Sequence, residues 1–151
     1  MVTATTGLDG IRALLGQDLG TGEWLEITQA RVNAFADATD DHQWIHTDVE
    51  RAKNGPFGAT IAHGFLTLSL LPALSQGTAR VEGIRMAINY GLNRVRFPAP
   101  VRVGSRIRAR TRNLSVVDVE GGVQVVNEVT VEIEGEAKPA CVAEQVARYY
   151  G

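Results

Sequence analysis

The apolar positions of this chain follow a helical pattern in one stretch and a strand pattern in most of the remainder. Residues 64–76 are apolar on every side of a helical wheel, and a helix without a polar face must be buried on all sides. Such a helix is about 20 Å long, whereas the hydrocarbon core of a bilayer is about 30 Å thick. The pattern therefore predicts a buried core helix rather than a membrane span. Pro72 is expected to kink its last turn and Gly77 to end it.

Shorter helical patterns precede this core helix. Residues 8–15 have apolar side chains at helical spacing, and Thr28 stands as an N-cap before a second helix that ends near Thr39. Residues 23–27 alternate like a strand. Residues 48–54 form one or two helical turns, so the polar residues between these helices are expected to lie on irregular backbone.

After the core helix the sequence alternates with a period of two. The alternation predicts strands over residues 84–97, 106–112, 123–133 and 140–149, with a turn at 118–122. Arginines on the second strand and glutamates on the third occupy the outer faces, which favours antiparallel pairing. Helices first and an antiparallel meander afterwards indicate an α+β fold, in which a curved sheet wraps around one buried helix.

Length, charge and cysteine content narrow the class of protein. The chain has 151 residues, which favours a single domain over residues 1–151. Its 15 basic and 17 acidic residues nearly balance, so no global field recruits nucleic acid or a membrane surface. Cys141 is the sole cysteine, and the first residues lack the basic and apolar segments of a signal peptide. We expect a cytoplasmic protein.

The candidate chemistry lies between the second helix and the core helix, where all three histidines occur. Asp41 and His46 are five residues apart across a turn, and this spacing can place a carboxylate and an imidazole on opposite sides of one water molecule. The spacing fits equally an Asp41 that closes the turn and a His46 that forms a buried hydrogen bond. A metal site of Asp41, His42 and His46 is disfavoured because a turn is predicted there rather than a helix.

A second feature favours the chemical interpretation. Gly64 opens the core helix, so its backbone N–H points into an apolar interior without an intrahelical partner. Glycine lets a ligand oxygen approach closely, and such a donor suits the oxygen of a thioester that becomes enolate-like. For His63 we expect an N-cap or a supporting group behind the reacting atoms rather than a direct catalytic role.

These residues occur in two motifs that resemble a known signature. Residues 38–46, Ala-Thr-Asp-Asp-His-Gln-Trp-Ile-His, and residues 61–65, Ile-Ala-His-Gly-Phe, are similar to the paired motif of the MaoC-like (R)-specific enoyl-CoA hydratases. These are proteins of the hot-dog fold. The resemblance covers nearly the whole chain and is strongest to single-domain members related to nodulation protein N. The family usually has Gly, Asn and Pro where this chain has Asp40, Gln43 and Trp44.

The resemblance implies a reaction and a set of site residues. It implies reversible addition of water to a trans-2-enoyl-CoA, giving the (R)-3-hydroxyacyl-CoA, in a homodimer without a metal or redox cofactor. Asp41 is the expected base, His46 orients the water and donates a proton, and Gly64 N–H binds the thioester oxygen. The expected substrate-binding residues are Trp44, Phe57, His63, Phe65, Arg94 and Arg96.

Three other functions fit the same motifs. A hot-dog thioesterase binds the same carbonyl but directs water to its carbon. A dehydratase acting on acyl-carrier-protein-bound 3-hydroxyacyl chains runs the reverse reaction on another carrier. A noncatalytic acyl-CoA-binding subunit needs neither Asp41 nor His46, and the presence of both disfavours it.

Overall fold

The computed structural model describes residues 4–151. Within them, short helices dominate the first half of the chain and long strands the second. The helices are α1 (Gly7–Arg12), α2 (Gln29–Thr39), α3 (Trp44–Thr47), α4 (Val49–Lys53), α5 (Gly64–Ser69) and α6 (Leu71–Leu74). The strands are β1 (Ala4–Thr6), β2 (Asp18–Thr21), β3 (Leu25–Glu26), β4 (Arg80–Glu82), β5 (Met86–Arg96), β6 (Arg106–Val119), β7 (Gly122–Ile133) and β8 (Cys141–Tyr150).

The long strands form one antiparallel sheet in the order β2-β6-β7-β8-β5, with β3 also paired to β6. A separate parallel pair joins β1 and β4. Helices α5 and α6 pack on the inner face of the sheet, and α1 packs on the same face further along. This arrangement confirms the expected α+β fold with a sheet around a central helix.

One face of the sheet is apolar and the other is charged, as the alternation predicts. Outer-face pairs such as Arg108 and Glu132, 3.0 Å apart, cross β6 and β7. These exposed pairs contribute only a few tenths of a kcal/mol each. The driving force is the burial of the inner face. On β7 its buried residues are Val123, Val125, Val129, Val131 and Ile133.

Cys141 belongs to this core. Its side chain is fully buried among the leucines of α5 and α6 and the inner face of the sheet. Burial raises the pKa of the Cys141 thiol to about 11, so the thiol stays protonated near neutral pH. A nucleophilic role for this cysteine is therefore excluded.

The central helix differs from the continuous helix expected over residues 64–76. It is divided at Leu70 into α5 and α6, and it ends before Gly77. Pro72 explains the division because it has no N–H to donate to the preceding turn. The chain still continues in the same direction, since the N–H of Leu74 donates to the carbonyl of Leu70 over 2.8 Å.

The expectation that this helix is buried on all sides was wrong. Leu66, Leu71 and Leu74 are buried, but Phe65 is 71% exposed in the chain alone. Phe65 meets Phe97 edge to face, with ring centroids 6.5 Å apart. The exposed face of α5 therefore forms an apolar patch beside the end of β5.

Strand β5 forms one edge of the sheet as far as the structure describes it. It pairs with β8 on one side, and ten of its eleven residues are exposed. The predicted strand over residues 84–97 is shorter than expected, and β4 is separate from it. A register shift between Asn89 and Gly91 confirms the irregularity expected at this glycine.

The smaller elements match the sequence patterns in part. Thr28 caps α2 by accepting a hydrogen bond from the N–H of Arg31, and Asp48 caps α4 in the same way. The strand expected over residues 23–27 is reduced to Leu25–Glu26. His46 lies in the single turn of α3 rather than on irregular backbone.

No helix within residues 4–151 has the length and apolar character needed to span a membrane.

Candidate active site

Asp41 lies just after α2, at the point where the chain reverses. The preceding residue, Asp40, ends the helix in the left-handed region with φ of 58°, a conformation that aspartate tolerates better than most side chains. This explains how Asp40 replaces the glycine usual in the family. The side chain of Asp41 is half exposed, and one carboxylate oxygen accepts a long hydrogen bond of 3.4 Å from the N–H of Gln43.

His46 is held in a single orientation and tautomer. Its Nδ1 lies 2.7 Å from the carbonyl oxygen of Ile61, and a carbonyl can only accept, so Nδ1 donates. The second ring nitrogen, Nε2, therefore carries a lone pair in the neutral ring. Burial lowers the pKa of His46, an effect that the hydrogen bond to Ile61 opposes and the nearby His63 reinforces. His46 is thus a neutral proton acceptor near pH 7.

Two further contacts fix the backbone around His46. The side chain of Gln29, at the start of α2, donates to the carbonyl of His46 over 2.8 Å and accepts from the hydroxyl of Thr60 over 2.6 Å. The N–H of Ile61 donates to the carbonyl of Ile45. Neither support was expected from the sequence, because a glutamine in a first helical turn gives no signal of its distant partners.

His63 links the two halves of the site. It is 3% exposed, and its Nε2 donates to the backbone carbonyl of Asp41 over 3.0 Å. Its ring stacks on His46 with centroids 3.8 Å apart and also contacts Phe35. His63 occupies the N-cap position of α5 but makes no capping hydrogen bond, so the supporting role and not the N-cap role matches its contacts.

Asp41, His46 and His63 converge at one point. Each offers a ligand atom, and these atoms lie within 4.8 Å of one another. This differs from the metal set considered from the sequence, because His42 points away and bonds Asp37 on the exposed surface over 2.8 Å. Two of the ring nitrogens are already engaged with carbonyl oxygens. The Asp41 carboxylate and the remaining ring nitrogen of His46 can each accept a hydrogen bond from a held water, so the cluster suits proton transfer.

Gly64 immediately follows His63 and begins α5. As the first residue of the helix, its N–H has no intrahelical acceptor. A methyl group at this position would lie 3.2 Å from the ring of Phe97, which is tighter than ordinary van der Waals contact. A side chain at position 64 would therefore require the ring of Phe97 to move by a few tenths of an ångström.

Three apolar residues expected to bind substrate occupy different surroundings. Trp44 begins α3, where Arg51 stacks on its ring at 4.2 Å and Gly55 packs against its edge. Phe57 is half-buried in the loop before β-bridge residue Ile61, and its carbonyl accepts from Arg102. Phe65 is exposed beside Gly64. Their contact with a substrate stays a prediction.

Arg94 and Arg96, the two cations expected near coenzyme A, lie on β5. They line a cleft together with Glu128 and Glu144. Val95 between them packs against the core, so the arginines face the outer side of the sheet. The two glutamates offset their charge, and their role as phosphate contacts also stays a prediction.

The chain can now be compared with known proteins. Residues 11–136 match the MaoC-like domain family. The chain is 59% identical to 3-hydroxyacyl-thioester dehydratase Z of Mycobacterium tuberculosis over 140 residues, covering 92% of this chain and 93% of that protein. It is 49% identical to nodulation protein N of Rhizobium leguminosarum bv. viciae, covering 90% and 86% respectively. The chain belongs to the MaoC-like family of hydratases and dehydratases.

Solved structures agree with this assignment. A monoamine oxidase regulatory protein from Archaeoglobus fulgius superposes with a TM-score of 0.78 at 26% identity, covering 99% of this chain and 97% of that one. An (R)-hydratase from A. caviae superposes with a TM-score of 0.71 at 24% identity, covering 88% and 94%. The hot-dog fold predicted from the sequence is confirmed.

Proposed function

We propose that the protein catalyses the reversible hydration of trans-2-enoyl-CoA to (R)-3-hydroxyacyl-CoA. The observation that carries this proposal is the approach of Asp41 and His46 around a common point, with Nε2 of His46 free and Gly64 nearby. Membership of a family that contains a 3-hydroxyacyl-thioester dehydratase supports the reaction class.

A water molecule is the expected nucleophile. In the resting site the Asp41 carboxylate and Nε2 of His46 are both acceptors, so one water donates a hydrogen bond to each. As the water oxygen attacks C3, the Asp41–His46 pair removes one proton and then returns a proton to C2. Because His46 begins as a neutral acceptor, it can donate only the proton that it has taken up.

Gly64 supplies the electrophilic assistance in this proposal. Attack at C3 moves negative charge onto the thioester oxygen, and the free N–H of Gly64 binds that oxygen. Helix α5 has only six residues, so the hydrogen bond rather than a helix dipole provides the stabilisation. The water and both proton acceptors lie on one side of the bound enoyl group, which favours addition to one face and a single (R) product.

The protein acts as a homodimer in this proposal. The free edge of β5 and the apolar patch of Phe65 and Phe97 would otherwise stay exposed. Pairing of two β5 edges satisfies the open strand and covers this patch. It also places the partner beside α5, where it would contribute to binding of the thioester.

The proposed reaction needs no redox cofactor, and we propose that the protein is cytoplasmic.

Loss of enoyl-thioester absorbance with crotonyl-CoA tests the function. We expect absorbance to fall without release of free thiol, and chiral analysis to find the (R)-alcohol. Release of free CoA would instead identify a thioesterase, and binding without turnover a noncatalytic subunit. A comparison of crotonyl-CoA with the same acyl group on acyl carrier protein decides the carrier. Higher kcat/KM on acyl carrier protein would replace the CoA proposal with the dehydratase alternative.

A further inference from the structure

A cavity of about 340 Å³ lies on the inner face of the sheet, beyond the end of α6. The inner face carries two apolar clusters, one under α5 and α6 and one under α1. The cavity lies between them, bounded on the helical side by Ile11 of α1, by Leu14 in the turn after α1, and by Pro72 and Ser75. Its floor consists of residues from β5, β6, β7 and β8.

A row of amide side chains crosses the floor of this cavity, beside apolar residues such as Val125 and Ala147. Asn113, Asn127 and Gln145 are direct neighbours across β6, β7 and β8, and Asn89 completes the row on β5. Asn113 donates to Asn127 over 3.0 Å, and Gln145 donates to Asn89 over 3.3 Å. We call these four residues the amide row. A polar side chain that is taken out of water is unfavourable unless it is hydrogen-bonded.

Part of the hydrogen-bonding capacity of the amide row is unused. Among residues 4–151, neither the Nδ2 group of Asn127 nor the Oε1 atom of Gln145 has a hydrogen-bond partner. Thr111 lines the same cavity, is 4% exposed, and its buried hydroxyl also has no partner within the described chain. An unpaired buried polar group such as the Thr111 hydroxyl is destabilising. The cavity thus presents free donors and acceptors to an occupant.

The chemistry of the lining limits the occupant. Among the described residues that line the cavity there is no Lys, Arg, Asp or Glu. An ionised carboxylate or ammonium group would be buried there without a counter-charge, which is strongly unfavourable. An uncharged hydrogen-bonding group such as a hydroxyl suits both the amides and the apolar walls.

A second, smaller cavity extends from this one along the central helix in the direction of Gly64. This smaller cavity of about 230 Å³ shares Pro72, Asn89 and Gln145 with the first and continues along α5 to Leu68. Leu68 is four residues after Gly64, or roughly 6 Å at 1.5 Å per residue. From Gly64 to Ser75 the central helix extends roughly 17 Å on the same basis. A medium-length or long acyl chain bound at Gly64 therefore reaches the amide row.

We propose that this cavity receives the distal end of the acyl group and that the amide row selects substrates carrying an uncharged hydroxyl group there. This inference rests on the proposed function, since it takes the thioester to be bound at Gly64. It goes further by naming a structural class of substrate, the acyl thioesters that are hydroxylated far from the thioester. Asn127 and Gln145 are its specificity-determining residues.

Equilibrium binding tests the proposal without any need for turnover. The full chain is titrated calorimetrically with ω-hydroxydodecanoyl-CoA and with dodecanoyl-CoA, two saturated thioesters of equal length. We expect the hydroxylated compound to bind at least about fivefold more tightly, because one additional hydrogen bond contributes about 1 kcal/mol. Equal affinities, tighter binding of dodecanoyl-CoA, or binding of neither compound would overturn the proposal.

Two variants localise the effect. Asn127→Leu removes the free amide while Asn113 keeps its bonds to the carbonyls of Ser115 and Val126. Gln145→Leu removes the neighbouring amide and serves if the first variant does not fold, as judged by thermal unfolding. Either folded variant is expected to bind the two thioesters within about twofold of each other. A preserved preference for the hydroxylated compound in the folded variants would overturn the assignment to this cavity.

Gln124→Leu is the matched control. Gln124 is on the same strand but faces outward, where it accepts from Arg148 over 3.0 Å. This variant is expected to keep the wild-type preference. Hydration of crotonyl-CoA, whose acyl group is too short to reach the amide row, is measured in parallel. Its absence would contradict the proposed function alone, whereas the calorimetric comparison decides the cavity.

Discussion

His46 and His63 stack with their ring centroids 3.8 Å apart and their planes 22° from parallel. Each ring donates to a backbone carbonyl, His46 to Ile61 and His63 to Asp41. The stack therefore joins the loop after α2, the single turn of α3 and the start of α5 into one unit. Asp41, which is half exposed, gains a defined position from a fully packed neighbour.

The lowered pKa of His46 predicts the pH dependence of the reaction. The neutral ring is the active form, so kcat/KM is expected to be constant above this pKa and to fall about tenfold per pH unit below it. Because burial lowers the pKa, the midpoint of the acid limb should lie below the ordinary value of about 6.5. The measurement is a pH profile of kcat/KM with crotonyl-CoA.

The same shift has a consequence for stability. The unfolded chain binds a proton at His46 more readily than the folded chain does, so the free energy of unfolding falls as pH drops through about 6.5. His46→Gln should lack this contribution. An acid limb centred above 6.5, or equal pH dependence of unfolding in wild type and His46→Gln, would contradict the assigned state of His46.

His63 is expected to act through Asp41 rather than on the substrate. His63→Phe keeps a ring in the stack but removes the hydrogen bond to the Asp41 carbonyl. We expect kcat to fall about tenfold, with KM changed less than about twofold, because one hydrogen bond contributes about 1 kcal/mol to positioning. Steady-state kinetics with an enoyl-CoA separates the two parameters.

His42→Gln is the control for this prediction, since the His42 side chain is exposed and bonds only Asp37 among the described residues. It should leave kcat unchanged. A His63→Phe variant with wild-type kcat, or one in which KM alone rises, would show that His63 does not position Asp41.

Gly64 has little room for a side chain. Gly64→Ala places a methyl group 3.2 Å from Phe97, so the ring must move by a few tenths of an ångström, and the methyl group lies beside the N–H that binds the thioester oxygen in the proposed mechanism. We expect kcat/KM to fall by about tenfold or more, since small displacements at a reacting centre are costly. The double variant Gly64→Ala/Phe97→Leu relieves the contact and should recover most of the loss. No recovery in the double variant would contradict the steric explanation.

Two residues of the central helix should differ sharply in their effect on stability. Leu74 is 2% exposed in the core, and Leu74→Ala is expected to lower the free energy of unfolding by about 2–5 kcal/mol. Phe65 is mostly exposed, so Phe65→Ala should cost less than about 1 kcal/mol within one chain. Urea unfolding of each variant measures both values.

The proposed dimer allows a second measurement on the Phe65→Ala variant, the strength of its association. Phe65→Ala removes part of the apolar patch beside β5, so sedimentation should show weaker association than in the wild type. A large loss of chain stability with unchanged association would contradict the exposed position of Phe65 at an interface.

The sheet was predictable from the sequence because the alternation of apolar and polar residues directly indicates which face of each strand is buried. Ile107, Ala109 and Val129 lie in the core as their spacing requires. Burial of a helix is harder to predict, because an apolar residue such as Phe65 faces either the core or a partner chain. The break at Leu70 follows from the missing N–H of Pro72, but its position depends on packing that the sequence does not contain.

The candidate site was predictable only where a motif marked it. Asp41, His46 and Gly64 followed from the resemblance, whereas the link from His63 to Asp41 spans 22 positions in sequence and has no local signal. The amide row is also visible in the sequence, although the alternation of apolar and polar residues does not by itself reveal it. Asn113 and Asn127 stand at inward positions of strands whose other inward residues are mainly aliphatic.

Replacement of the two proton acceptors tests the central claim most directly. Asp41→Asn and His46→Gln keep the size and much of the hydrogen bonding of each side chain but remove its ability to take a proton from water. The measurement is the rate of crotonyl-CoA hydration by each purified variant, with thermal unfolding as a check of folding. The account predicts that both folded variants lose at least about 100-fold in kcat. Wild-type rates in either folded variant would contradict the assignment of Asp41 and His46 as the pair that activates water.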